Sequence, residues 1–362
     1  ALGWRASTQD RDREWNDFYD QTRQTAENWA SDLSTQAKFS RRWYRNTLVN
    51  ISHLADVSGP DVTGARVVVA GAGPSLDEAL DAVTDQSFDF LFAADTALPA
   101  LVSRGLKPDV VFCLDGQHHS YHHFVAAPPA STLIAADLAA LPLLSRRSSL
   151  VLRFLSGHPL GTVLRRAFPE LPLLDASSQN VAGLAAQTAW NLGAAEVQLW
   201  GIDLAYRDGQ AYAHGTYPET LASRKVSRLQ PFETLLSQRV YSSPASEKTL
   251  SPSGQSWVTT PLLKSYRALF PTGKRSALVG WHNRATQDRA AVWLEDWKKR
   301  LTNLPLPAST ESYLAFWSRL PLDLQQDWQA LWPLTASLVR EGIDSRDRAA
   351  ASRELALQWY QH

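Results

Sequence analysis

The stretch Val67–Leu76 reads VVVAGAGPSL: a β-branched run that breaks into two glycines and then Pro-Ser-Leu. This predicts a strand, a tight turn and the start of a helix. Gly71 and Gly73 let the backbone turn sharply and approach a ligand closely. Pro74 suits a first helical turn, where its missing N–H costs nothing. Ser75 adds a hydroxyl beside the free N–H groups of a helix start, and with the helix dipole these form an anion site. Gly71, Gly73, Pro74 and Ser75 are therefore candidate phosphate contacts, with an ordinary strand-to-helix turn as the plainer reading. The loop is neither the full Gly-x-Gly-x-x-Gly dinucleotide fingerprint nor a Walker loop with Lys and Thr.

Outward from this stretch, short apolar runs alternate with helical segments. Strands are predicted at Val67–Ala70, Phe88–Ala93, Val110–Leu114, Thr132–Ala135, Leu150–Phe154, Leu171–Leu174 and Val197–Leu199. They carry little polar alternation, as expected of strands covered on both faces. Helices predicted at Leu76–Ala82, Ala97–Ser103, Gly161–Phe168 and Val181–Asn191 would cover them. The fold class expected is α/β, a doubly wound and mainly parallel Rossmann-like sheet with helical N- and C-terminal extensions. The expected boundaries are 1–60 for an N-terminal helical region, 61–285 for the central domain and 286–362 for a C-terminal helical region.

Before the first strand, Trp15, Phe18, Thr22, Ala26 and Trp29 recur at helical spacing. A second helix is expected around Phe39–Leu54, ended by Gly59, Pro60 and Gly64. Residues 205–260 are polar and Ser-rich and read as a loop or lid, with a helix near Glu219–Tyr241. Pro305–Pro307 reads as a linker before a small Trp-bearing helical appendage.

Lys plus Arg and Asp plus Glu are both 36 in the 362 residues, so no net basic field draws the chain to nucleic acid or an anionic membrane. One cysteine, Cys113, excludes a disulfide framework and fits a reducing compartment. Its apolar neighbours make it a buried structural thiol. No apolar stretch approaches the ~20 residues of a membrane span, and the polar N-terminal sequence is unlike a signal peptide. The cytoplasm is the compartment expected.

In an open parallel sheet, ligands bind outside the carboxyl ends of the strands. The residues that follow the predicted strands are polar: Asp95-Thr96, Asp115-Gly116-Gln117, Asp137, Ser156-Gly157, Asp175 to Asn180, and Gly201-Ile202-Asp203. Ser178, Gln179 and Asn180 precede a predicted helix, so they serve either as its N-cap or as a second ribose or phosphate contact. His118, His119, His122 and His123 form a cluster that lacks Cys or Glu at metal-motif spacing, so a solvated or substrate-facing loop is expected there. Tyr206, Tyr212 and His214 follow Asp203. Tyrosines can hold a leaving phosphate and a histidine can act as general base, although such residues in isolation are more often packing or surface positions.

Read together, VVVAGAGPSL, AADTAL at Ala93–Leu98, GLKPDVVFCLDGQ at Gly105–Gln117 and GIDLAY at Gly201–Tyr206 resemble the motility accessory factor (Maf) family. Asn46 and Asn50 in WYRNTLVN add to the match, which covers about residues 40–285. The resemblance implies a cytoplasmic glycosyltransferase that moves a nonulosonic acid from a CMP donor to Ser or Thr of flagellin or another protein, without a metal cofactor. The central domain is also similar to small bacterial sialyltransferases, whose glycine loop reads Gly-Asn-Gly-Pro-Ser-Leu. That similarity implies that Gly71, Gly73, Pro74 and Ser75 meet the nucleotide, with Asp203 at the rim and Tyr206 and Tyr212 near the phosphate. Ala72 replaces the sialyltransferase Asn and removes one nucleotide contact. The segment GLKPDVVFCLDG also resembles an archaeal-type 6-hydroxymethyl-dihydropterin diphosphokinase, which would make Asp95 and Asp115 magnesium ligands for ATP. A non-catalytic module that binds nucleotide or flagellin is the third reading.

Overall fold

The computed structural model describes residues 12–83, 88–125, 128, 130–146, 148, 150–207, 210–241, 246–250, 254, 256–276, 281–284, 287–308, 311–344 and 347–360. The strands in chain order are β1 (Val57–Ser58), β2 (Arg66–Ala70), β3 (Phe90–Ala94), β4 (Val110–Cys113), β5 (Leu133–Asp137) and β6 (Val151–Phe154). After them come β7 (Glu196–Trp200), β8 (Tyr206–Arg207), β9 (Glu247–Leu250), β10 (Ser256–Thr259) and β11 (His282–Asn283). Six of them form one sheet in the order β6-β5-β4-β3-β2-β7, and every pair in it is parallel. Antiparallel pairing appears in the ribbon β8-β10-β9 and in the two-residue ladder of β1 with β11.

Alternation of side chains along a strand builds two cores. Val68, Leu91, Val111 and Ile134 face Leu76 and Leu80 of α2 (Ser75–Ala82) and Leu98 and Leu101 of α3 (Leu98–Ser103). Val67, Val69, Phe92 and Phe112 face the other way, against Leu184, Ala185 and Ala189 of α5 (Val181–Asn191). Each fully buried Val, Leu or Phe in these layers contributes about 1.5–3 kcal/mol. Trp281 closes the second face, stacked on Phe112 at 5.8 Å between ring centres, with its indole N–H donating to the Pro60 carbonyl. Helix α4 (Pro159–Ala167) follows β6.

Six of the seven predicted strands are present. Leu171–Leu174 is not a strand: it meets the sheet through a single bridge, Leu155 to Leu173. Pro172 has no N–H to extend a ladder, so only its carbonyl takes part, accepting from the Leu155 N–H. The two helices expected before the sheet are one, α1 (Asp12–Ile51), of 40 residues. No glycine or proline interrupts that stretch, and the Ser and Thr within it are too weak as breakers to stop a helix. The helix expected near Glu219–Tyr241 is two, α6 (Tyr217–Ser223) and α7 (Phe232–Val240). Helix α8 (Pro261–Leu269) follows the ribbon, and its N-cap Thr260 accepts from the Leu263 N–H.

The chain divides into two compact units: Arg45–Asp296, and the residues up to Tyr44 together with those from Trp297 onward. In the second unit, the last turns of α9 (Gln287–Thr302) are followed by α10 (Tyr313–Arg319), α11 (Leu322–Arg340) and α12 (Arg348–Gln358). Trp297 is fully buried there and donates to the Tyr44 hydroxyl at 2.9 Å, while Arg300 pairs with the buried Asp327.

Candidate active site

The order of the strands reverses beside β2, because the chain runs from β2 out to β6 and then returns to place β7 on the other flank. The loops after β2 and β7 therefore meet at the switch point of the sheet, where open α/β folds bind ligands. Contact between them is close. Gly71 N–H donates to Trp200 O at 2.8 Å, and Gly73 N–H to Gly201 O at 2.7 Å. A Cβ on Gly71 would lie 2.6 Å from the Gly201 carbonyl oxygen, and Gly201 itself has φ +59°. The glycines are needed here for the approach of one loop to the other.

Asp203 is buried, and its Oδ2 accepts the Ser75 N–H at 2.9 Å. The helix-start amide expected to meet a phosphate is thus held by a carboxylate of the chain. Pro74 occupies the cap position without a side-chain bond, which leaves Asp203 to supply the oxygen. Arg267 Nη2 donates to the Asp203 carbonyl at 3.1 Å.

The segment after β8 folds back onto the glycine loop, with Ala213 N–H donating to Ala72 O at 3.0 Å. Asp77, in the first turn of α2, then receives three donors: Gln210 Nε2 at 2.6 Å, the His214 backbone N–H at 3.1 Å and His214 Nδ1 at 2.7 Å. A histidine that gives its Nδ1 proton to a carboxylate presents a basic Nε2. His214 is exposed and Asp77 mostly covered, so the pair has one fixed and one open end.

Tyr212, two residues before His214, lines a cleft of about 410 Å³ together with Thr96, His119 and His123. Leu221, Ala222 and Lys225, at and just beyond the end of α6, line it with Leu235 of α7. Thr96 and Tyr212 were expected at the site. The histidines were expected in a loop, but they lie on a tight 3-10 turn, His118–Phe124, with His122 stacked on Tyr217 at 4.6 Å. Burial pushes the His123 imidazole down, and the nearby Asp95 opposes this. Burial likewise pushes the Asp95 carboxyl up.

Other expected residues sit on the rim with local duties. Asp95 Oδ1 accepts the Thr96 N–H and hydroxyl at 2.7 and 3.1 Å. Asp115 accepts the Gln117 N–H at 2.8 Å and its side-chain amide at 3.3 Å. Asp95 is buried with its Oδ1 taken, and its burial favours the neutral form. Among the described residues no group of three His, Cys, Asp or Glu could hold a metal ion. Asn180 caps α5 through the Gly183 N–H at 2.7 Å, and the buried Ser178 bonds to the Asn180 carbonyl, with Gln179 between them at φ 57°. Tyr206 lies on β8, packs against Val240 and Val258, and is not among the residues that line the cleft. Asn46 and Asn50 are buried at the end of α1, and each amide ties down two carbonyls. Asn46 holds Gly116 and Ala139, and Asn50 holds Leu138 and Ala140.

Asp77 and Lys225 were missed. Asp77 carried a signal, an acid directly after the glycine loop, but acids in a first helical turn are common. Lys225 carried none, a lone cation in a polar stretch.

The fold and rim define a class, an α/β chain with a parallel sheet and a candidate site at its switch point. More narrowly, residues 41–209, a little under half of the chain, match the family model for 6-hydroxymethylpterin diphosphokinase MptE-like proteins. Across 89% of this chain and 58% of the other, the fold is similar to the solved structure of the MAf glycosyltransferase from Magnetospirillum magneticum AMB-1, with a TM-score of 0.51 and 14% identity. Two uncharacterized proteins of Treponema pallidum (strain Nichols) are also similar. One is 34% identical over 27% of this chain and 49% of its own length, the other 25% identical over 57% and 45%. The chain spans about half the length of these relatives. Among the described residues no helix is long and apolar enough to cross a membrane.

Proposed function

We propose that this chain is a glycosyltransferase that moves a nonulosonic, sialic-acid-like sugar from a CMP donor to a Ser or Thr hydroxyl of a protein, with flagellin the expected acceptor. The observation that carries this reading is the His214–Asp77 pair, 2.7 Å apart at the edge of the glycine loop and two residues from the cleft-lining Tyr212. An acceptor hydroxyl attacks the anomeric carbon, the bond from that carbon to the phosphate oxygen breaks, and CMP leaves with the electron pair. His214 Nε2 takes the acceptor proton, and Asp77 stabilises the imidazolium that forms. Charge builds on the departing phosphate, where the Lys225 ammonium and the Tyr212 hydroxyl serve as electrostatic partners. Pro218, Leu221 and Leu235 give the cleft an apolar wall for the sugar or base. Fold likeness alone does not choose between this chemistry and pyrophosphate transfer.

Titration calorimetry with CMP and separately with ATP, each with magnesium and with EDTA, tests the reading. CMP binding that ignores EDTA is expected, weakened in Lys225→Ala. His214→Ala should keep that binding and lower sugar transfer by about 10²–10⁴-fold. ATP binding that needs magnesium, with no CMP binding, would overturn the proposal in favour of a diphosphokinase. CMP binding without any transfer would leave a binding module.

A further inference from the structure

Helix α1 is about 60 Å long at the usual rise, and its first half is largely exposed among the described residues. Every described side chain from Asn16 to Thr35 is exposed, including Phe18 at 55%, Tyr19 at 59% and Leu33 at 58%. An isolated helix of this kind is marginal in water unless a partner covers its apolar face. Trp15, Tyr19, Thr22, Ala26, Trp29 and Leu33 follow one another at steps of four, three, four, three and four. The Trp29 side chain lies outside the described residues. This 3.5-residue repeat keeps a seam turned toward another helix, whereas a helix lying on a globular surface follows a 3.6-residue period with a broader stripe.

Charge identifies the other helix. The stretch Asp12–Asp32 of α1 carries six carboxylates (Asp12, Glu14, Asp17, Asp20, Glu27 and Asp32) against Arg13 and Arg23. The following stretch Lys38–Arg45 carries Lys38, Arg41, Arg42 and Arg45 and no carboxylate. Lys38 and Arg42 are exposed, beside the stacked pair Phe39 and Trp43. A parallel pair of such helices would set acid on acid. An antiparallel pair sets the acidic half of each on the basic half of the other and brings the aromatic seam of one toward Phe39 and Trp43 of its mate.

We propose that α1 is a homodimerisation helix, pairing antiparallel with α1 of a second copy of this chain. An isologous contact of this kind has two-fold symmetry and closes on itself. It is independent of the sugar-transfer reading.

Sedimentation equilibrium of the full chain at low and high salt tests the proposal. A dimer is expected whose dissociation constant rises with salt, because much of the contact is between exposed charges. Asp17→Lys with Asp20→Lys should weaken it at least about tenfold. Adding Lys38→Glu and Arg42→Glu to that variant should restore it, since both halves are then reversed together. Tyr19→Glu places a charge in the seam and should leave a monomer. These positions are exposed, and circular dichroism of each variant confirms that the fold is kept. A monomer at all concentrations, a dimer indifferent to charge reversal, or a helix that binds only an added basic peptide would each overturn the proposal.

Discussion

At Gly73 a methyl group would lie 2.2 Å from the Asp203 carboxylate oxygen and 2.8 Å from the Gly201 carbonyl oxygen. Neither neighbour can retreat freely. Asp203 holds the Ser75 N–H, and the Gly201 carbonyl holds Gly73 itself. Gly73→Ala is therefore expected to cost about 1–3 kcal/mol in denaturant unfolding, as overpacking does. Gly273→Ala, with nothing within 4 Å of the added atom, should stay within about 0.5 kcal/mol and serves as the control. Sequence alone marked Gly71 and Gly73 as places where a ligand comes close. It could not show that the close neighbour is the loop after β7, because that contact joins residues about 130 apart. For the same reason His214 stood out as a candidate base while Asp77, which orients it, did not.

Helix α4 is capped by His158, whose Nδ1 accepts the Leu160 N–H at 3.4 Å. The residue as a whole is partly buried, but the Nε2 end of its ring is sealed from solvent. Burial pushes its pKa down to about 4. The unfolded chain, with an ordinary value of about 6.5, binds the proton first as pH falls. The contribution of this residue to stability is thus complete above pH ~6.5 and lost as pH drops toward 4, by up to about 3 kcal/mol. His158→Asn can keep the cap and removes the titration, so its unfolding free energy should vary less with pH across that window. Elements with a strong periodic or apolar signal were legible. The helix at Val181–Asn191 has the predicted bounds, because it is apolar all round and capped by Asn180. Leu171–Leu174 misled because an apolar run containing proline can lie against a sheet without joining it. The 40 residues of α1 were split in two because a Ser-rich patch in a helix resembles a boundary when its neighbours are unseen.

The whole chain has no net charge, yet α1 is acidic in one half and basic further along. A total near zero conceals this asymmetry, and the proposed pairing of two copies follows from it. The α/β class and the polar rim at the carboxyl edge were readable from the order of strands and polar strand ends. The wall of the cleft was not, since α6 and α7 lie in a polar stretch whose placement depends on the ribbon β8-β10-β9. Cys113 lies on β4, fully enclosed, with its thiol pushed well up by burial and the neighbouring Asp95. Thiolate is the reactive form, so alkylating reagents have almost nothing to attack while the strand is covered. The single cysteine becomes a clock for the opening of the sheet: a maleimide in native buffer is consumed only as fast as β4 is uncovered, and a cysteine placed on the surface would be labelled alone.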